Sequence, residues 1–205
     1  MDRINRVTVV IGTFGSDEWS RWGEDLAATT KFTQQCPVIH VHGKTLAEAR
    51  NKGAALVETE WIVFLDADDA LEEDYVDVLA DGDGDLRAPR LFFLEHGKDP
   101  WEPFDLTKRD IEVGNPCVIG TMIRKSMFDE VGGFQEWEAW EDYALFHRCH
   151  LIGASIVHHD AIYLAMNNPY SRNNTIKNPQ KLMKSIMKNN RKWKKSYDNN
   201  AAGNV

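Results

Sequence analysis

"WIVFLDADDALEEDY", residues 61–75, runs apolar from Trp61 to Leu65 and then stops at three aspartates, Asp66, Asp68 and Asp69. A short apolar run rich in β-branched and aromatic residues and bounded by turn residues is the pattern of a buried strand. Carboxylates crowded at its end repel one another and titrate upward unless a positive charge sits among them. Two readings follow: a solvated loop end, or a site for a cation. An isolated Asp-x-Asp does not choose between them.

The flanking chain supplies the context. "VTVVIGTFG" (7–15) is a second β-branched run, ending in glycine. "SDEWSRWGEDLAATTKFTQQ" (16–35) opens with Ser16 and acidic residues, as a helix start does, and Trp19, Trp22 and Leu26 recur at helical spacing as a core-facing stripe. "VIHVHG" (38–43) is a short strand. "TLAEARNKGAALVETE" (45–60) is a helix with Leu46, Ala49, Gly53, Leu56 and Val57 on one face, and "EEDYVDVLAD" (72–81) is another. Strand, helix, strand, helix, strand is the order of a parallel sheet covered by helices, in which ligands bind at the carboxyl ends of the strands. Gly12–Gly15 and Asp66–Asp69 both fall at such ends.

The second half is less regular. A turn at 82–87 precedes a strand over 88–94, and the proline-bearing "KDPWEPFDLTKRD" (98–110) is a loop. "NPCVIGTMIRKSMFDEVGGF" (115–134) reads as a strand ending near Met122 or Ile123, a short helix and a glycine turn. "WEAWEDYALFHRCHLIG" (137–153) is helical, with Leu145, Cys149 and Ile152 on one stripe, and "ASIVHHDAIYLAMNN" (154–168) closes the sheet. The tail over 177–195 holds eight basic residues and no acidic one. It is an amphipathic helix, docked through Leu182, Ile186 and Trp193. Its basic face is open to a membrane surface, a polyanion or the acidic body itself.

The bulk numbers bound the function. The chain has 205 residues, enough for one sizeable core, and a formal charge of −8. An acidic body argues against nucleic-acid binding, which needs a basic surface. No apolar run approaches the roughly 20 residues of a membrane span. The N-terminus shows no long apolar signal region, and Cys36, Cys117 and Cys149 are widely spaced, as expected of buried thiols in a cytoplasmic protein.

"LAEARNKGAALVETEWIVFLDADD" (46–69), "GTMIRKSMFDEVGGFQE" (120–136) and "WEDYALFHRC" (140–149), in that order, resemble the blocks of glycosyltransferase family 2. The resemblance covers about residues 7–165. It implies an α/β GT-A fold, a mixed nucleotide-binding sheet flanked by helices and followed here by the C-terminal helical tail. It implies one domain over 1–176, with a nucleotide-binding half at about 1–85 and an acceptor half at about 86–176, then a basic helix and tail over 177–205.

The same resemblance assigns roles. Transfer of a sugar with inversion from a nucleotide-sugar, UDP-sugar by default, needs charge stabilisation on the leaving diphosphate, which Mn2+ or Mg2+ held by oxygen ligands provides. Asp68 is the implied metal ligand. Asp66 takes the ribose or a metal-bound water, and His158 stands where a histidine completes the metal shell in some relatives. Asp69 either joins them or caps the next helix. Asp142, with Glu141 second, takes the place of the base that removes the acceptor hydroxyl's proton. Thr13, Arg50 and Asn51 match nucleotide-contacting positions. Ser171 and Arg172 lie in a segment that reaches the diphosphate.

In the family the second strand ends in an acid that reads uracil. Here it ends "HVHG", which leaves His40 or His42 to take over. Trp137 and Trp140 suit either sugar stacking or core packing. The acceptor, shaped in part by 95–110, is a saccharide, a protein or a lipid-linked sugar. The alternatives are a catalytically silent nucleotide-sugar binder or scaffold, and a retaining GT-A transferase. A sugar-nucleotide pyrophosphorylase would need a basic glycine-rich loop where "IGTFGSDEWS" turns acidic.

Overall fold

The first strand, β1 (Val7–Phe14), buries Val7, Val9, Val10 and Ile11 completely. A strand covered by helices on both faces needs such a continuous apolar run. The computed structural model describes residues 6–94, 105–166 and 175–202. In chain order β1 is followed by α1 (Asp17–Gln34), β2 (Val38–Gly43), α2 (Leu46–Ala55), β3 (Trp61–Leu65), β4 (Ala70–Leu71), α3 (Tyr75–Ala80) and β5 (Leu86–Leu94). Then come β6 (Met122–Arg124), α4 (Lys125–Glu130), α5 (Glu141–Leu151), β7 (Ile156–Met166) and α6 (Pro179–Ala202). The strands make one mixed sheet in the order β2-β1-β3-β6-β5-β7-β4.

Strands β2, β1 and β3 are parallel, and their register decides where the site lies. Thr13 pairs with His42 on one side of β1, and Ile11 pairs with Leu65 on the other. Asp66 therefore leaves β3 beside Gly12, at the same sheet edge as Thr13. Strand β6 runs antiparallel between β3 and β5. At the edge remote from the aspartates, Trp61 is covered by the guanidinium groups of Arg87 and Arg124, 3.9 and 4.2 Å from its ring. Strands β5 and β7 are parallel, with a register shift between Ala88 and Arg90. Pro89, which has no N–H to give the ladder, sits inside that shift.

Helix α6 crosses α5 and is fixed by a buried polar network. Asn190 donates to the Ala144 carbonyl at 2.8 Å and accepts from Arg148 Nε at 3.1 Å, while Arg148 also donates to the Val131 carbonyl at 3.0 Å. Ile186 is fully buried, and Leu182 and Trp193 pack against the core, as their spacing predicts. All three cysteines are buried and unpaired.

Local patterns fail in three places. Trp22 is 47% exposed; α1 instead buries Gly23, Thr30 and Gln34. The Gln34 side-chain amide holds α3 through the Glu72 carbonyl and the Val76 N–H. Leu56 is 62% exposed because α2 ends at Ala55 and Leu56 is its C-cap. The helix expected from residue 137 starts at Glu141, because Trp140 takes the left-handed conformation at φ 60°.

Candidate active site

A cleft of about 1110 Å³ opens at the carboxyl edge of the parallel strands. That is room for a ligand larger than a typical drug. Gly12, Thr13, Arg50 and Asp66–Asp69 from the first half of the chain line the cleft, together with Asn115, Trp140, Glu141 and Asp142 from the second. Residues from the two halves of the chain thus meet in one place.

Arg50 forms the floor. It is 2% exposed, although a helix arginine is ordinarily a surface residue. One guanidinium nitrogen donates to Glu141 Oε1 at 2.7 Å and another to Asp66 Oδ1, an ion pair at closer range. Burial alone would lower its pKa, but Asp66 and Glu141 outweigh that and keep it charged. Phe134 lies under the guanidinium, 5.2 Å from centroid to Cζ. The approach depends on Gly12: a Cβ there would stand 2.8 Å from Arg50 Cγ and 3.2 Å from its backbone nitrogen.

The three aspartates sit close, with one carboxylate oxygen of each within 4.8 Å of the others. Their environments differ. Asp69 accepts from the Tyr163 hydroxyl at 2.7 Å and the Met166 N–H at 2.8 Å, so it ties the end of β3 to β7 instead of capping α3. Burial, then the Asp66 charge, pushes its carboxyl far above the usual range. Asp68 is also raised, by burial and then by Asp66. Carboxylates that resist ionisation only because they are buried beside one another are a ready oxygen donor set for a hard divalent cation. Asp68 is the member of the three with no Arg50 bond and no strand-tying bond.

Next to Glu141, Asp142 accepts from Asn115 Nδ2 at 3.0 Å. Burial, then Glu141, raises its pKa to about 6. A carboxylate poised there is ionised at neutral pH and still basic enough to take a proton. Trp140, the left-handed residue just before the pair, lines the cleft; such a conformation in a bulky residue is uncommon and marks a constrained site. Both Trp137 and Trp140 pack against the core, and of the two Trp140 lines the cleft.

At the nucleotide end, the Thr13 hydroxyl lies between two imidazoles, 2.8 Å from His40 Nε2 and 3.0 Å from His42 Nδ1. Thr13 lines the cleft, and burial lowers the pKa of His40. Trp19 lines the same end and meets Trp22 edge-on at 5.0 Å. The structure does not bring every sequence candidate here. The Asn51 amide is engaged in both directions by the Phe134 backbone, at 2.9 Å each way. His158 contacts the Pro116 carbonyl at 2.8 Å and faces a separate cavity of about 310 Å³, away from the aspartates. Ser171 and Arg172, and 95–104 of the acceptor segment, lie outside the described residues. Lys108, Arg109 and Asp110 of that segment do line the cleft.

Sequence reasoning misses Asn115 and Tyr163. Asn115 stands before a proline at a turn, a signal that marks a loop but not its partner. Tyr163 is an aromatic in a strand, indistinguishable from core until Asp69 is seen 94 residues away.

Residues 15–88 match the family model described as Glycosyl transferase family 2. No curated protein matches the chain significantly. Among solved structures, S. aureus TarS 1–349 in complex with UDP superposes with a TM-score of 0.52 at 15% identity, over 80% of this chain and 61% of that one. TarS 1–349 in complex with UDP-GlcNAc gives 0.53 at 14% identity, over 83% and 61%. The chain thus spans about three-fifths of the TarS 1–349 length, and at this identity the likeness is one of fold: the mixed GT-A sheet with flanking helices.

Proposed function

We propose that this chain, recognised as glycosyltransferase family 2 through its 15–88 segment, transfers a sugar from a UDP-sugar to an acceptor hydroxyl with inversion. The observation that carries the reading is that two carboxylate groups, Asp66–Asp68 and Glu141–Asp142, line one cleft and are joined through Arg50. The TarS complexes with UDP and UDP-GlcNAc support the choice of donor.

Thr13, with His42 and His40 behind it, would hold the nucleoside end, and Asp66 the ribose. Asp68, with Asp66, would hold Mn2+ or Mg2+; the oxygen donors fit such an ion. When bound, that ion would neutralise charge on the diphosphate oxygens. The acceptor hydroxyl approaches from the Trp140–Asp142 wall. Its oxygen forms a bond to the anomeric carbon as the bond from that carbon to the diphosphate oxygen breaks. Asp142 takes the hydroxyl proton as attack proceeds. Arg50 touches neither reactant in this scheme; it holds Asp66 and Glu141, and so keeps the two walls in register.

A thermal-shift panel of nucleotide-sugars with and without Mn2+ tests the donor, since binding to the native state raises its apparent stability. UDP-sugars should shift the transition in a Mn2+-dependent way, with UDP released when acceptor is present. A panel in which no UDP-sugar shifts the protein overturns the donor, and a product with retained anomeric configuration by NMR overturns the inversion.

A further inference from the structure

Helix α6 carries a surface that the transfer chemistry does not use. Lys181, Lys184, Lys188, Lys192 and Lys195 are all exposed. At 100° per residue they fall within an arc of about 80° and extend along about 21 Å of helix. The buried Ile186 and Asn190 lie on the opposite side. Two neighbouring cations have partners, Arg191 with Glu112 and Lys194 with Asp198. Among the described residues, the five lysines of the stripe have no ion pair.

The stripe works against its own helix. Lys184, Lys188 and Lys192 are spaced i, i+4, where like charges destabilise. An ordinary solvated face would interleave glutamates, yet 177–195 has eight basic residues and no acidic one in a chain of net charge −8. The rest of the molecule is therefore strongly acidic, and an anionic surface would attract this one ridge while repelling the remainder. That orients the protein as well as binding it.

We infer that α6 docks the protein on an anionic lipid bilayer, by electrostatic attraction and without insertion. A straight row of point charges suits the diffuse field of a plane. Readers of single-stranded nucleic acid add stacking aromatics and arginine, and here Trp193 packs inward against the core. The apolar side of α6 is already occupied, with Ile186 buried and Leu182, Met183 and Met187 packed on the core, so little is left to enter a bilayer. No helix among the described residues is long and apolar enough to cross a membrane. Met183 also lines the cleft. Docking through α6 would thus set the cleft within about a helix diameter, roughly 10 Å, of the lipid surface. If the transferase reading holds, the acceptor is one carried by a lipid headgroup at that surface.

The test is co-sedimentation of the full chain with phosphatidylcholine vesicles, with and without phosphatidylserine, at low and high salt. The protein should bind only the phosphatidylserine vesicles and leave them at high salt. Each lysine is worth about a fivefold change in partitioning, so the triple substitution Lys184→Gln, Lys188→Gln, Lys192→Gln should lose about a hundredfold. The matching triple arginine substitution should keep binding. Equal partitioning of wild type and the glutamine triple, equal binding to both vesicle types, or displacement by an RNA homopolymer at equal charge overturns the inference. Mn2+-dependent UDP shifts measured on every variant separate loss of docking from loss of fold. A wild type that binds vesicles but no UDP-sugar would sink the donor reading and leave the docking intact.

Discussion

The end of β3 and the start of α5 solve the same problem in parallel. Each presents adjacent acids to the cleft, and each gives one of them to Arg50: Asp66 on the first side, Glu141 on the second. The acids without that bond, Asp68 and Asp142, have raised pKa values, as does Asp69. The guanidinium thus neutralises one acid of each pair and leaves the one proposed to act without a bonded cation. Sequence order alone makes Glu141 and Asp142 look interchangeable; the guanidinium separates them.

The contrast can be broken at several points. The largest expected effect is at Asp142. Changing it to Asn should lower turnover by about 10²–10⁴-fold, the range for a general base, with Mn2+-dependent UDP binding unchanged. Glu141→Gln should instead reduce thermal stability, since it weakens one arm of the Arg50 bridge. Turnover that falls more for Glu141→Gln than for Asp142→Asn would reverse the assignment. Arg50→Ala comes next. Removing one partner from a buried ion cluster costs about 3–5 kcal/mol, so chemical denaturation should show a loss of that order. Asp68→Ala should abolish the Mn2+ dependence of the UDP thermal shift while leaving the metal-free transition nearly in place or slightly higher.

The pH prediction is smaller and distinguishes the two walls. Turnover should fall as pH drops through about 6, where Asp142 takes up its proton. Stability should run the other way. Asp68, Asp69 and Asp142 have raised pKa values in the folded state, so that state holds protons the unfolded chain has already released. Their contribution is therefore fully present below the ordinary carboxylate pKa near 4, and is lost as pH rises through about 6 for Asp142 and about 8 for Asp69. Metal-free protein should melt lower at pH 8 than at pH 5, and Mn2+ should restore more at the higher pH. A flat difference between the two pH values would mean the acids are already compensated.

The parallel half of the sheet is legible from sequence because its signals are local. β-branched runs, a Thr45 cap bonded to the Glu48 N–H and the Asp-x-Asp turn each declare themselves within a few residues. The failures are long-range. Arg50 matches a nucleotide-contacting position and lines the cleft, but no local pattern reveals that two of its guanidinium nitrogens bond acids 16 and 91 residues away. Trp22 and Leu56 fit a helical stripe, but Trp22 falls where α1 faces solvent and Leu56 lies just past the end of α2. His158 is placed by the turn at Pro116, which no pattern in the strand foretells. Helical and strand periods say which side of an element is apolar; they do not say which partner crosses to a polar group.

The wall over 105–121 meets α5 and α6 through a handful of polar contacts, among them Glu112 beside His147 and His150 at 3.4 and 3.8 Å. Asn115 reaches Asp142, the Ile111 carbonyl accepts from Tyr143 at 2.8 Å, and Glu112 takes Arg191 at 2.5 Å. The Arg50 bridge lies wholly outside that segment. A protein engineer could therefore vary the exposed Lys108, Arg109 and Asp110, which line the cleft, keep the buried Leu106, Ile111, Cys117 and Ile119, and leave the spacing between Asp66 and Glu141 untouched. If these cleft residues shape the acceptor site, as expected of the 95–110 segment, libraries at those positions should yield altered selectivity without loss of the donor site.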